Sequence, residues 1–253
     1  MVEKFREWSM NIAILTSGGD APGMNRVIET LSKRANIAFL EGVKGLYEII
    51  ELPTFISFHA FDIEVQDKII NNLKDIDYLV VIGGNGSLEF TNLLIKRGVK
   101  ALFIPATIDN DIPNMESIGF DSALNSAIEA IDKISDSALS HNRIFLVEVM
   151  GNKSSAIAKA LSLATGYRCI NDDIEIEHIE NSSEILIIPE SLKALNRYSK
   201  VLSSKMSKEV KIISLGHIQR GGAPTARDRI LAAKYANKAL ENISTNSLGI
   251  VKI

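Results

Sequence analysis

A doubly wound α/β layer is the fold class this sequence predicts. Three observations predict it. Short apolar runs alternate with longer amphipathic ones along the 253 residues, the rhythm of β-α-β-α units. Some of the short runs, such as YLVVIGG, are almost continuously apolar, as strands are when helices cover both faces of a parallel sheet. Glycine- or acid-rich loops (SGGDAPGMN, GGNGS, PATIDNDIP and GHIQRGGAP) follow such runs, where open α/β sheets bind ligands.

Element by element, NIAILTSGGD is a strand ending in glycines, and MNRVIETLSKRA has helical spacing at Val27, Ile28 and Leu31. NIAFLEG reads as the next strand and VQDKIINNLKDID, Val65 to Asp77, as a helix. YLVVIGG is a strand, TNLLIKRG a helix closed by Gly98, and KALFIPAT a strand. The second half repeats the pattern. SALNSAIEAIDKISDSAL is a strongly periodic helix, RIFLVEVMG a strand and SSAIAKALSLATG a helix. EILIIPE and VKIISLGHI are strands, and RDRILAAKYANKALENI is a long helix. No low-complexity linker separates the halves. Two Rossmann-like, doubly wound lobes with a cleft between them are therefore expected rather than two independent domains.

Composition narrows the function. With 46% apolar and 23% charged residues the chain has the make-up of a soluble globular protein. A net charge of −3 lacks the basic excess that a nucleic-acid or membrane-surface binder needs, so neither partner is expected. The single cysteine, Cys169, excludes an intrachain disulfide and fits a reducing compartment. MVEKFREWSMN has no apolar signal core, and no run approaches the ~20 residues that span a bilayer. A cytoplasmic location is expected.

Glycines let backbone N–H groups approach an anion closely, and the helix that follows adds its positive end. One glycine pair also serves simply to cap a strand; four such loops in register point to phosphate. In PATIDND, Asp109 and Asp111 flank Asn110 after a buried strand, with Thr107 two residues earlier. A carboxylate there accepts a proton from a substrate alcohol while its neighbour holds a metal. The plainer reading of the same residues is an Asx turn before a helix.

SGGDAPGMN, VVIGGNGS, PATIDND, SIGFDSALNSAIEAID, SHNRIFLVEVMG and GHIQRGGAPTARDRILA together resemble the 6-phosphofructokinase family, nearest to the short bacterial ATP enzymes. The resemblance runs in family order from about Asn11 to Ala239. It implies the phosphofructokinase fold. It also implies a nucleotide lobe of residues 1–119 plus about 219–253, and a sugar-phosphate lobe of residues 120–218. The implied reaction carries the ATP γ-phosphoryl group, with Mg2+, to the 1-hydroxyl of fructose 6-phosphate. Asp109 would be the general base, with Thr107 and Asp111 beside it.

By the same resemblance Met150, Gly151 and Glu190 match sugar-binding positions, and His217 and Arg220 match sugar-phosphate ligands. Arg143 matches an arginine that reaches the 6-phosphate in a neighbouring subunit, and Lys211 stands for a second such arginine. Lysine keeps that charge but loses bidentate geometry. This makes a homo-oligomer, or a hetero-oligomer with a complete phosphofructokinase subunit, the expected assembly. Read without the family, His217 is equally a core histidine, Arg143 a solvated charge and Glu190 part of a helix N-cap.

On the donor side, Gly18, Gly19, Gly84, Asn85, Gly86 and Ser87 match nucleotide-binding positions. Asn85 replaces the usual aspartate that helps hold magnesium, leaving Asp111 as the metal ligand. The arginine that usually follows VEVMG is Asn152, with Lys153 next to it. A nucleotide-packing loop is expected to be missing, with LPTFISFHA in its place. Pro105-Ala106 before TIDND has neither the glycine of ATP enzymes nor the lysine of pyrophosphate enzymes. Glu29 replaces an effector-phosphate arginine, CINDDIEIEHIENSSEI departs from the effector-site segment, and the chain stops at IVKI where relatives continue. Bacterial-style allosteric control is therefore not expected. Three functions stay open: an active ATP-dependent 6-phosphofructokinase, a catalytically impaired regulatory or structural subunit that binds sugar phosphate beside an active chain, and a pyrophosphate-dependent enzyme.

Overall fold

A computed structural model describes residues 10–35, 37–39, 63–141, 143–172, 175, 176, 179, 185–206 and 208–253. LPTFISFHA and much of CINDDIEIEHIENSSEI, with the expectations placed on them, lie outside the described residues. The chain divides into two compact units, Met1–Ala106 with Arg229–Ile253, and Thr107–Asp228. The loop from Thr107 to Gly119 and the RGGAP turn both belong with the second unit, because Asp228 accepts hydrogen bonds from the Gly119 and Ser122 amides.

The first unit is a five-stranded parallel sheet in the order β2-β1-β3-β4-β9. Its strands are β1 (Ile12–Ser17), β2 (Ile37–Phe39), β3 (Tyr78–Gly83), β4 (Ala101–Pro105) and β9 (Gly249–Ile250). The helices are α1 (Met24–Leu31), α2 (Ile63–Asn72), α3 (Asn85–Lys96) and, from Arg229 onward, most of a long helix numbered α7 that spans Ala226 to Ser244. Every residue of β3 and β4 is buried, as their unbroken apolar sequence predicts. Burying each Leu, Ile or Val side chain contributes about 1.5–3 kcal/mol. Order reverses between β1 and β3, whose ends pair Ser17 with Gly83. That reversal is where such sheets bind ligands.

Two boundaries differ from the sequence reading. The helix over VQDKIINNLKDID stops at Asn72, because the chain must turn back to β1, where the Asn11 amide donates to Asp77 Oδ2 at 2.6 Å and the Asp77 amide to the Asn11 carbonyl at 2.8 Å. Helix α3 begins six residues before the TNLLIKRG core, at Asn85, so the GNGS turn is itself the helix N-terminus. Strand β9 is two residues long, too short to leave a periodic signal.

The second unit carries a four-stranded parallel sheet, β6-β7-β5-β8. Its strands are β5 (Ile144–Val149), β6 (Arg168–Cys169), β7 (Ile185–Pro189) and β8 (Val210–Ser214). Its helices are α4 (Phe120–His141), α5 (Ala156–Thr165) and α6 (Leu195–Met206). Ile144, Leu146, Leu186 and Ile188 of the sheet share one buried cluster with Tyr198 and Leu202 of α6. Strand β8 is an edge, and Ile212 on it is 40% exposed. Cys169 is buried on β6, and burial pushes its thiol up to about 11, so it stays a neutral thiol at physiological pH. No helix among the described residues is long and apolar enough to cross a membrane.

Candidate active site

In the first unit the candidate site begins where β1 and β3 end. Gly18 takes φ 100°, a left-handed turn that leads the chain out of β1. A side chain there would lie 3.9 Å from both the Gly84 amide and Ser87 Oγ, which places the two glycine loops side by side. Helix α3 starts directly after Gly84 with no side-chain cap and no acidic residue in its first turn. The positive end of the helix, with the Asn85, Gly86 and Ser87 backbone, is therefore presented beyond the sheet. The Ser87 hydroxyl is committed elsewhere. It is buried and donates to the Ser17 carbonyl at 3.0 Å, tying α3 to the end of β1. Gly18, Gly19, Gly84, Asn85, Gly86 and Ser87 thus come together on adjacent strand ends.

Gly83 makes that closeness possible. A Cβ on it would stand 2.2 Å from the Ser17 carbonyl oxygen and 2.3 Å from Ser87 Oγ. The first of these is backbone and cannot swing away. Gly83→Ala is expected to destabilise the protein by about 1–3 kcal/mol, read as a lower denaturation midpoint, whereas Gly86→Ala, with open space around it, leaves the midpoint nearly unchanged.

In the second unit the site is built on the loop Thr107–Asp111 and on the ends of β5, β7 and β8. Thr107 and Asp109 are 9% and 8% exposed, and the Asp109 amide donates to Thr107 Oγ1 at 3.2 Å. Asn110 takes φ 44°, and its Oδ1 accepts from the Ser117 amide at 3.0 Å, which folds the loop back on itself. Asparagine tolerates this left-handed backbone, so the residue between the two acids is the one that sets the turn. The contact is not an Asx turn, because the Asn110 side chain reaches the Ser117 amide rather than the amide two residues on, and the loop it closes holds a buried acid. Asp109 Oδ1 is buried with no hydrogen-bond partner among the described residues.

Burial pushes the Asp109 carboxyl above its usual range. The Arg220 guanidinium works against that, the Asp111 and Glu190 carboxylates work with it, and a hydrogen bond with Thr107 works against it. Arg220, Asp111 and Glu190 therefore gather around Asp109. A base with a raised pKa and an unengaged oxygen suits proton abstraction from an alcohol.

Glu190 follows β7 in a 3₁₀ turn, Glu190–Leu192. Its Oε1 accepts from the Gly151 amide at 3.0 Å and the Asn152 amide at 2.6 Å, so it braces the loop after β5. The Met150 amide donates to Gln219 Oε1 at 2.9 Å. His217 lies exposed in the 3₁₀ turn Gly216–Gln219 that follows β8, which excludes the core-histidine reading. Arg143 and Lys211 share a different partner. Both close on Glu209, with Arg143 Nε 2.6 Å from Oε2 and Lys211 Nζ 2.5 Å from Oε1. Lys211 first, and Arg143 with it, hold the Glu209 carboxyl below its usual range. Glu29, expected in place of an effector arginine, pairs with Arg26 at 2.8 Å.

Sequence reasoning passed over Asn110, Gln219 and Glu209. Asn110 carried a signal, its place between two acids; Gln219 and Glu209 carried none, because Met150, which Gln219 accepts from, and Arg143, which pairs with Glu209, are far away in the chain. Among the described residues no three His, Cys, Asp or Glu side chains cluster as a metal site. Asp111 with Asp109 still suits a hard cation, which takes oxygen from one or two carboxylates and completes its shell with substrate phosphates and water. The partnerless Asp109 oxygen fits that chemistry. Asn85 supplies a neutral amide and no charge.

A family profile described as Phosphofructokinase matches residues 11–243. The ATP-dependent 6-phosphofructokinase of Lysinibacillus sphaericus is 37% identical over 278 residues, covering 94% of this chain and 87% of that protein. The one from Listeria welshimeri is 38% identical over 279 residues, covering 94% and 88%. Among solved structures, phosphofructokinase from Saccharomyces cerevisiae matches with a TM-score of 0.80 at 25% identity, covering 94% of this chain and 42% of that one. The two parallel sheets, the acid loop and the strand-end turns therefore have a common explanation: the chain belongs to the phosphofructokinase family.

Proposed function

We propose that this chain is an ATP-dependent 6-phosphofructokinase of glycolysis, working in the cytoplasm and passing the γ-phosphoryl group of ATP to the 1-hydroxyl of fructose 6-phosphate. The observation that carries the reading is Asp109, a buried acid with one oxygen unengaged and with Arg220, Asp111 and Glu190 around it. Asp109 takes the proton of the 1-hydroxyl as that oxygen attacks the γ-phosphorus. The bond to the β,γ-bridging oxygen breaks, and ADP leaves with the electron pair. His217 and Arg220 hold the sugar phosphate, and Met150, Gly151 and Glu190 shape the sugar pocket. Gly18, Gly19 and the start of α3 receive the phosphates of ATP through backbone N–H groups.

Asp111 is the residue that would hold Mg2+, together with nucleotide phosphate oxygens, and the ion would offset the charge on the β- and γ-phosphates. Arg143 and Lys211, which pair with Glu209 in the single chain, serve the 6-phosphate bound by a second copy, in a homo-oligomer or beside a complete phosphofructokinase subunit. Relatives named as ATP enzymes favour ATP over pyrophosphate as donor. A coupled assay with each donor tests this: turnover is expected with MgATP and not with magnesium pyrophosphate, and the reverse preference would overturn the donor assignment. Asn85→Asp restores a charge beside the phosphates and is expected to lower the Mg2+ concentration needed for half-maximal rate.

A further inference from the structure

The turn that carries His217 and Arg220 has a single buried side chain, and it is polar. Within the 3₁₀ turn Gly216–Gln219, Gln219 is the buried residue, 0% exposed, while His217 and Ile218 face solvent. The Arg220 amide closes the turn on the His217 carbonyl at 3.0 Å. With three residues per 3₁₀ turn, positions three apart eclipse, so His217 and Arg220 emerge on one face and Gln219 on another. The Gln219 side chain reaches across to the loop after β5, where its Oε1 takes the Met150 amide at 2.9 Å. Its Nε2 is buried and has no partner among the described residues.

That combination argues against a role in stability alone. A buried amide with one bond made and one donor unsatisfied contributes little net free energy, because the orphan donor offsets the bond. An apolar side chain of similar size would pack there without that cost. What the amide supplies is direction. It locks the phosphate-facing turn to the strand-end loop that Glu190 braces from its other side through the Gly151 and Asn152 amides. Three successive amides, Met150 to Asn152, are thus held by two side chains from two other strand ends.

We infer that Gln219 is a positioning residue for sugar-phosphate recognition: it fixes where His217 and Arg220 point relative to the Met150–Asn152 loop without touching the ligand. This rests on the reading of His217 and Arg220 as sugar-phosphate ligands. Titration calorimetry of fructose 6-phosphate into the full chain tests it with Gln219→Leu, Gln219→Asn and Gln219→Glu. The Leu variant removes the bond and the Asn variant falls short of Met150. Each is expected to weaken binding by about tenfold, the scale of a small misplacement of binding groups. Gln219→Glu keeps an acceptor for the Met150 amide and is expected to stay within about threefold of wild type. Thermal midpoints of the Leu and wild-type proteins are expected to agree within about 3 °C. Unchanged affinity in Leu or Asn, or a fallen midpoint at unchanged affinity, overturns the inference. If the Leu variant does not fold, the Asn and Glu pair decides. Wild-type protein that does not bind fructose 6-phosphate overturns the sugar-phosphate reading itself, and the inference with it.

Discussion

Asp109→Asn is expected to lower kcat by about 10²–10⁴-fold, the usual contribution of a positioned general base, while fructose 6-phosphate still binds. The change keeps the side chain's size and removes its proton-accepting charge. Stability should not suffer. Asp109 is 8% exposed with Oδ1 unpartnered, and burial is the largest influence on its carboxyl, acting against the charged form. Replacing that charge by a neutral amide relieves a strain on the fold. Steady-state kinetics and a melting curve check both halves: a large loss of kcat beside an unchanged or higher midpoint. A parallel loss of folded protein would mean that Asp109 is a structural acid. Arg220→Leu makes a useful contrast, because it removes the cation that works against burial at Asp109 and also the side chain proposed to hold the sugar phosphate, so it should raise KM as well as lower kcat.

Asp228→Ala is expected to be the most destabilising single change in the second unit, by about 3–5 kcal/mol. Asp228 is 1% exposed. Its carboxylate accepts from the Gly119 amide at 2.9 Å, the Ser122 amide at 2.8 Å and the Ser122 hydroxyl at 2.5 Å. These donors open α4, where a negative charge also meets the positive end of the helix. The Ser122 oxygen in turn accepts from the Thr225 amide at 3.0 Å, and Thr225 Oγ1 donates to Asp121 at 2.6 Å. One carboxylate therefore joins the loop leaving the Asp109 turn to the residues that follow Arg220. Alanine would leave three buried donors without an acceptor. Urea denaturation followed by circular dichroism reads the loss, and Asp228→Asn, which keeps one acceptor oxygen, should fall between alanine and wild type. A shift under about 1 kcal/mol for alanine would show that water or a neighbour replaces the carboxylate.

Much of this architecture was readable from the residues. Unbroken apolar strands such as Tyr78–Gly83 predict burial on both faces, and burial is complete there. Strand-end loops place Thr107, Asp109, Asp111, Glu190 and Arg220 in chemical context because the physics of an open parallel sheet sends ligands to those ends. What escaped the sequence is relational. A start of α3 at Asn85 depends on a close approach at Gly83 that no propensity encodes. The pairing of Arg143 with Glu209 depends on the register of β5 with β8. Gln219 looks like any surface glutamine until its neighbours are known, and the two-residue strands β6 and β9 are too short for periodicity to register.

The central claim is that Asp109 drives phosphoryl transfer despite a donor side where Asn85 brings no charge. Following 31P NMR signals of the purified chain with ATP, Mg2+ and fructose 6-phosphate tests it most directly. Growth of the fructose 1,6-bisphosphate signals with matching ADP, absent from the Asp109→Ala protein, is the predicted result. No product above that control, with fructose 6-phosphate still bound, would contradict it and make the chain a sugar-phosphate-binding subunit without turnover.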